Sequence, residues 1–293
     1  MPPLSYQALS LKGDVRFTGD LESGMWADAP WTTDFIDIEG SIRPVPVHRT
    51  RAKMLWNKDY FFVGAELVEP HIWATLTEHD SVIFQDNDFE VFIDPDGDNC
   101  EYYEYEINAF ATDWDLFLPK PYRAGGSADN SWEIPGLLKR VSVYGTVNDP
   151  SDIDQKWVVE LGFPWSAFHG RSAPKTGGVW RVNFSRVEWD VDVVDGRYVK
   201  VAGRPEHNWV WTEQQAIDMH RPEHWGYVSF VTEFGKEYVD PDYEVKARLA
   251  SVFYAMRDGQ AVTSDVSIHR EDGKWSASLG GWKIDQDSRI SRD

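Results

Sequence analysis

Apolar residues fall in short runs that alternate with polar ones, and clusters of Gly, Pro, Asn and Asp separate the runs. Alternation at period two marks half-buried strands, and many short strands divided by turn residues mark an all-β antiparallel sandwich. The pattern predicts strands over 15–18, 50–57, 60–68, 88–94, 102–109, 113–118, 140–147, 156–163, 179–187, 197–201 and 226–230. Only Asn57, Lys58 and Asp59 separate Trp56 from Tyr60, which predicts a tight hairpin. Pro164 ahead of Trp165–Phe168 suits the first turn of a short helix. Beyond Glu233 the period changes, because Val245, Leu249, Val252, Phe253 and Met256 fall at helical spacing. This predicts a helix over 242–256, a small hairpin from 262–268 and 275–284, and a frayed end over 285–293. The chain thus reads as a β-sandwich over 1–235 followed by a helix-and-hairpin extension over 236–293 whose role the sequence leaves open.

One predicted hairpin stands apart. Its runs Asn87–Asp94 and Tyr102–Phe110 are joined by Pro95-Asp96-Gly97-Asp98-Asn99. Phe89, Val91, Ile93, Tyr103, Tyr105, Ile107 and Ala109 share the core face, and Glu90, Glu104, Glu106 and Asn108 share the other. Like charges on neighbouring strands cost up to about 1 kcal/mol per opposed pair. An arginine, a metal ion or the hydroxyls of a sugar would each offset that repulsion, and Arg186 or Arg123 is a candidate partner.

Composition narrows the partner. The formal charge of −20 argues against nucleic acid and anionic membrane surfaces. No run approaches a membrane span. Fifteen tryptophans in 293 residues exceed what a core of this size uses, and surplus flat rings suit stacking on pyranoses. The single Cys100 cannot form an internal disulfide, and no signal segment opens the chain. The expected compartment is secreted or periplasmic if a signal segment is missing from this chain, and cytoplasmic otherwise; the oligomeric state stays open.

Five segments, in order and at consistent spacing, resemble the family 9 carbohydrate-binding modules with a DOMON-type sandwich. They are Lys53–Phe62, Asn87–Asp94, Trp157–Glu160 leading to Phe163-Pro164-Trp165, Trp180–Phe184 and Arg221–Gly226. The resemblance implies a sandwich that binds cello- or xylo-oligosaccharide-like glycans, often with structural calcium. It places Glu90 at the family's acidic ligand-binding position. Phe84 and Met219 stand where the family has its two clamping tryptophans, and Glu106 stands where the adjacent strand can carry an arginine.

Together these readings predict non-catalytic binding of plant or algal polysaccharide-derived glycans, in carbohydrate catabolism. Trp73 and Trp114 would stack on the sugar, helped by Phe84 and Trp211, while Glu90, Glu106, Asn108 and Arg186 bond its hydroxyls. Trp26, Trp31, Trp56, Trp157, Trp165 and Trp180 are expected in the core. Asp94, Asp96 and Asp98 form a candidate calcium site, although glycine at the fourth position and Tyr105 at the twelfth depart from an EF-hand. Two alternatives remain: a glycoside hydrolase using Glu90 and Glu106 as its carboxylate pair, and a haem-binding module using Met219 or His220.

Overall fold

Strand residues here are apolar on one face and packed on both. Tyr60–Val68 and Asp88–Asp94 are buried almost throughout, so they sit inside a layered structure. The computed structural model describes residues 2–262 and 265–293. Its strands are β1 (Ser5–Ser10), β2 (Ile36–Asp37), β3 (Thr50–Trp56), β4 (Tyr60–Val68), β5 (Asp88–Asp94), β6 (Tyr102–Asn108), β7 (Asp113–Leu118), β8 (Leu138–Tyr144), β9 (Lys156–Pro164), β10 (Val179–Glu188), β11 (Val191–Val194), β12 (Arg197–Lys200), β13 (His207–Val210) and β14 (Gly226–Val231). Helix α1 (Tyr243–Arg257) follows, and then β15 (Ser267–Glu271), β16 (Lys274–Leu279), β17 (Trp282–Asp285) and β18 (Ile290–Arg292).

One continuous path runs β7-β6-β5-β10-β14-β1-β3-β4-β9-β8, with β13 and β2 branching from β10. The sheet curls so that its halves face each other. Phe89, Val91, Tyr103 and Tyr105 from one half join Met54, Phe61, Val63, Trp157 and Leu161 from the other in the main core. The expected sandwich is therefore present, and Trp26, Trp56, Trp157, Trp165 and Trp180 are buried as predicted. Trp31 is only half-buried, with the Arg51 guanidinium 3.8 Å above its ring.

One expectation fails near the N-terminus, and one strand there was not predicted. The 15–18 segment is not a strand; it crosses the outer face of the β9 half, where the amides of Thr18 and Gly19 and the indole of Trp26 donate to the Glu160 carboxylate. Its place is taken by β1, which pairs parallel to both β14 and β3 and closes the curl. These are parallel ladders in an otherwise antiparallel sheet. A six-residue run has no turn to announce its partners, which explains why the pattern missed it.

The extension also differs from a simple hairpin. Its strands form a four-stranded sheet in the order β15-β16-β17-β18, so 285–293 is paired rather than frayed. Of the predicted strand over 262–268, positions 263 and 264 lie outside the described residues, and the strand begins at Ser267. Leu249, Val252 and Phe253 of α1 pack with Ala277, Ile284 and Ile290 in a separate small core. The extension grips the β5–β6 turn and the segment after β7: Asn99 Nδ2 donates to the Ser288 carbonyl at 3.1 Å, the Ile290 amide donates to the Asp98 carbonyl at 2.9 Å, and Lys120, just past β7, pairs with Asp287 at 2.6 Å.

Candidate functional site

The acidic hairpin has the register its alternation predicts. Glu90 lies directly opposite Glu106, and Phe92 opposite Glu104. Asp88 precedes Glu90 on the same face, and oxygens of Asp88, Glu90 and Glu106 come within 4.8 Å of one another. This face points away from the main core, yet it is not solvated. Ile38, Phe92, Tyr102, Leu116, Leu118, Met219 and Trp225 form a second cluster over one end of it, and all four carboxylates are buried.

Burial without a cation sets the electrostatics. The ion pairs among the described residues give none of these four carboxylates a lysine or arginine; the nearest basic group is His220, whose Nε2 is 3.9 Å from Glu104. Burial lowers His220 to about 4, so its imidazole is neutral at ordinary pH. Burial pushes Glu90 up to about 7. Asp88, Glu104 and Glu106 are held well above the usual carboxylate range, first by burial and then by repulsion from Glu90 and one another. Burial and mutual repulsion thus favour the protonated carboxyl, a form that can donate as well as accept a hydrogen bond.

Above Glu90, Glu104 and Glu106 opens a concavity of about 360 Å³. Phe84 and Trp114 line it, with rings stacked 6.4 Å apart at an interplanar angle of 30°. Both rings are half-buried, so each keeps area for a ligand. Phe84 is held firmly: its amide donates to Glu106 Oε2 at 2.9 Å, and Trp189 Nε1 donates to its carbonyl at 2.9 Å. Tyr122, exposed, and His220 also line the space, with centroids 4.4 Å apart and His220 Nδ1 bonded to Tyr102 Oη at 2.9 Å. Sequence reasoning missed Tyr122, which opens a single 3-10 turn, Tyr122–Ala124, too short for any period to identify a facing residue.

The structure therefore brings together Phe84, Glu90, Glu106 and Trp114, and adds Glu104. It places the other four predicted residues elsewhere. Trp73 is buried in the loop after β4, 5.7 Å from the Lys200 ammonium. Asn108 uses its whole amide locally: Nδ2 donates to the Leu76 carbonyl and Asp86, and Oδ1 accepts from the Phe110 and Thr112 amides. Trp211 is a core ring, edge-on to Tyr6 at 6.4 Å. Arg186 lies inside the sandwich with its donors on Thr50, the Val68 carbonyl, Glu69 and Glu188, so it neutralises a different acidic pair. Arg123 is paired with Asp218.

The 94–98 turn brings oxygens of Asp94, Asp96 and Asp98 within 4.8 Å of one another, beside basic partners. Asp94 accepts from the amides of Asp96, Gly97 and Asn99, Asp96 pairs with Arg171 at 2.6 Å, and Asp98 pairs with Arg289. Arg171 and Arg289 offset part of the charge, yet burial, with Asp96 and Asp98 alongside, still raises Asp94 to about 8.

Comparisons with known proteins identify the family and support the fold. The family model for carbohydrate family 9 binding domain-like proteins matches residues 18–232. A proposed carbohydrate-binding protein from Bacteroides uniformis superimposes with a TM-score of 0.57 at 14% identity, over 78% of this chain and 99% of the other. A family 9 carbohydrate-binding module from Caldicellulosiruptor kristjanssonii, in complex with cellotriose, gives 0.50 at 15% identity, over 80% of this chain and all of the other. No curated protein matches.

Proposed function

The chain belongs to the carbohydrate family 9 binding domain-like family, and from that membership we propose that it binds glycans without cleaving them, in the concavity over β5 and β6. The ligands are oligosaccharides derived from plant or algal polysaccharides, and the role is capture during their catabolism. Trp114 and Phe84 present apolar faces to a pyranose, while Glu90, Glu104 and Glu106 bond its hydroxyls. The observation that carries this reading is a buried acidic floor beneath two half-buried rings in one concavity. Protonated carboxyls supply the donors that an arginine would otherwise supply.

The competing chemistries fit the site less well. Glu90 and Glu106 are direct cross-strand neighbours, with oxygens within 4.8 Å, on one floor. A glycosidase needs its carboxyl groups about 5–9.5 Å apart on opposite sides of the scissile bond. Haem ligation by His220 would compete with the Tyr102 bond on Nδ1 and would face Glu104 from Nε2.

A glycan array read by tryptophan fluorescence, followed by calorimetry with cello- and xylo-oligosaccharides, tests the proposal. Binding should appear and should weaken at least about tenfold in Trp114→Ala, the cost of losing a stacked ring. Silence across plant and algal glycans, or unchanged binding in Trp114→Ala, overturns the site. Release of reducing sugar overturns the non-catalytic reading.

A further inference from the structure

A second constellation lies away from the glycan concavity, at the edge strand β7. His79 stands in the loop between β4 and β5, Asp113 and Asp115 on β7, and Glu133 in the loop leading to β8. His79 Nδ1 lies 3.1 Å from both the carbonyl and Oδ1 of Asp113. With that nitrogen donating, the ring once deprotonated presents a lone pair at Nε2. Around Nε2 stand Glu133 Oε2 at 3.4 Å, Asp115 Oδ1 at 3.7 Å and Asp80 Oδ1 at 3.4 Å.

Two observations distinguish this group from a solvated acidic patch. Asp115 is 3% exposed, and its Oδ1, the atom facing His79, has no hydrogen-bond partner. A buried carboxylate oxygen left without a donor costs about 1–3 kcal/mol or more, so it calls for a partner. The distances give the partner's kind. Separations of 3.4–3.7 Å exceed an ordinary charge-assisted hydrogen bond of about 2.7–2.9 Å. They approach the edge of a tetrahedron with bonds of about 2.0–2.1 Å, whose vertices lie about 3.3–3.5 Å apart.

We propose that His79 Nε2, Asp115 Oδ1 and Glu133 Oε2 form a zinc site, with Asp113 orienting the imidazole through Nδ1 and water in the fourth position. The three ligand atoms lie within 4.8 Å of one another. One imidazole and two carboxylates suit zinc, whereas calcium and magnesium prefer all-oxygen shells. A carboxylate on the far ring nitrogen is the usual support for a metal-bound histidine. Lys139 of β8 pairs with Asp113 at 2.7 Å and so balances the orienting carboxylate rather than the ligands. Because β7 and β8 are the two end strands of the curled sheet, the ion would clip its edges together through the 129–137 loop. Half of the His79 side chain and more than half of Glu133 are open to solvent, which provides a route in.

The test uses the full chain, stripped with a strong chelator and dialysed against Zn²⁺. The expected result is one Zn²⁺ per chain, with Co²⁺ replacing it to give the intense visible bands of tetrahedral coordination. His79→Gln and Glu133→Gln should each weaken Zn²⁺ binding at least about tenfold, and Asp113→Asn by about 10–100-fold. Glu133 is a surface residue, so Glu133→Gln should fold normally and its metal-free melting temperature should match that of the parent. Failure to take up stoichiometric zinc, uptake unchanged in both His79→Gln and Glu133→Gln, or equally tight binding of Ca²⁺ would overturn the assignment.

Discussion

Replacing Glu90 by glutamine keeps the shape of the side chain and removes its ability to ionise. In the folded protein burial raises Glu90 from 4.5 to about 7. At about 1.36 kcal/mol for each tenfold change in proton affinity, ionising it in place costs about 3 kcal/mol more than ionising it in the unfolded chain. The sign follows from proton counting. Between pH 4.5 and 7 the folded state holds a proton that the unfolded state has lost, so stability falls as pH rises through that window. Below it the penalty is absent. Glu90→Gln should therefore match the parent within about 1 kcal/mol at pH 4, apart from any change in local hydrogen bonding. Above pH 8 it should be more stable by roughly 2–3 kcal/mol. Glu90 also raises Asp88, Glu104 and Glu106, so the measured titration belongs to the cluster, and the mutant should shift it as a whole. Urea titrations at pH 4, 6, 7 and 8.5 would measure the difference. A stability difference independent of pH would refute the idea that this face is held together by retained protons.

Arg186→Ala should cost about 3–5 kcal/mol in urea unfolding, because Glu69 and Glu188 would be left buried without their counter-ion; a loss below about 1 kcal/mol would count against that account. Gly226→Ala should destabilise by roughly 1–3 kcal/mol, since the added carbon would fall 2.4 Å from the Trp211 ring; a melting temperature equal to that of the parent would contradict the packing. Adding millimolar Ca²⁺ should leave the melting temperature unchanged, as Arg171 and Arg289 pair with two of the three carboxylates of the 94–98 turn; a rise of several degrees would place calcium there. Glu104→Gln should alter glycan affinity by about 1–2 kcal/mol with little loss of stability, since Glu104 lines the concavity and its Oε2 has no hydrogen-bond partner; unchanged calorimetry would remove it from the site.

Much of this protein was legible in its sequence. Period-two alternation fixed β4, β5 and β7 within the curled sheet, because a strand with a buried face cannot slip by one residue without inverting every side chain. The same alternation put Glu90, Glu104 and Glu106 on one face. Helical spacing located α1 to within a residue or two at each end.

Tertiary structure decided what alternation cannot encode, which is what lies across from each face and from each loop. The sequence left open whether the acidic face was wet, and the answer came from residues remote in sequence, Met219 and Trp225, folding over it. Alternation from Trp180 through Val182 and Phe184 already turns Arg186 inward, but only the fold shows that Glu69 and Glu188 claim it there. Asn108 and Trp211 looked available to a ligand, but local amides and the core already use them. Tyr122 lies in a single 3-10 turn and His79 in a loop, so their neighbours exist only once the strands have been placed. Period reports a side chain's face, an attribute of local backbone geometry; partnership depends on distance through space, which loop closure over many residues alone determines.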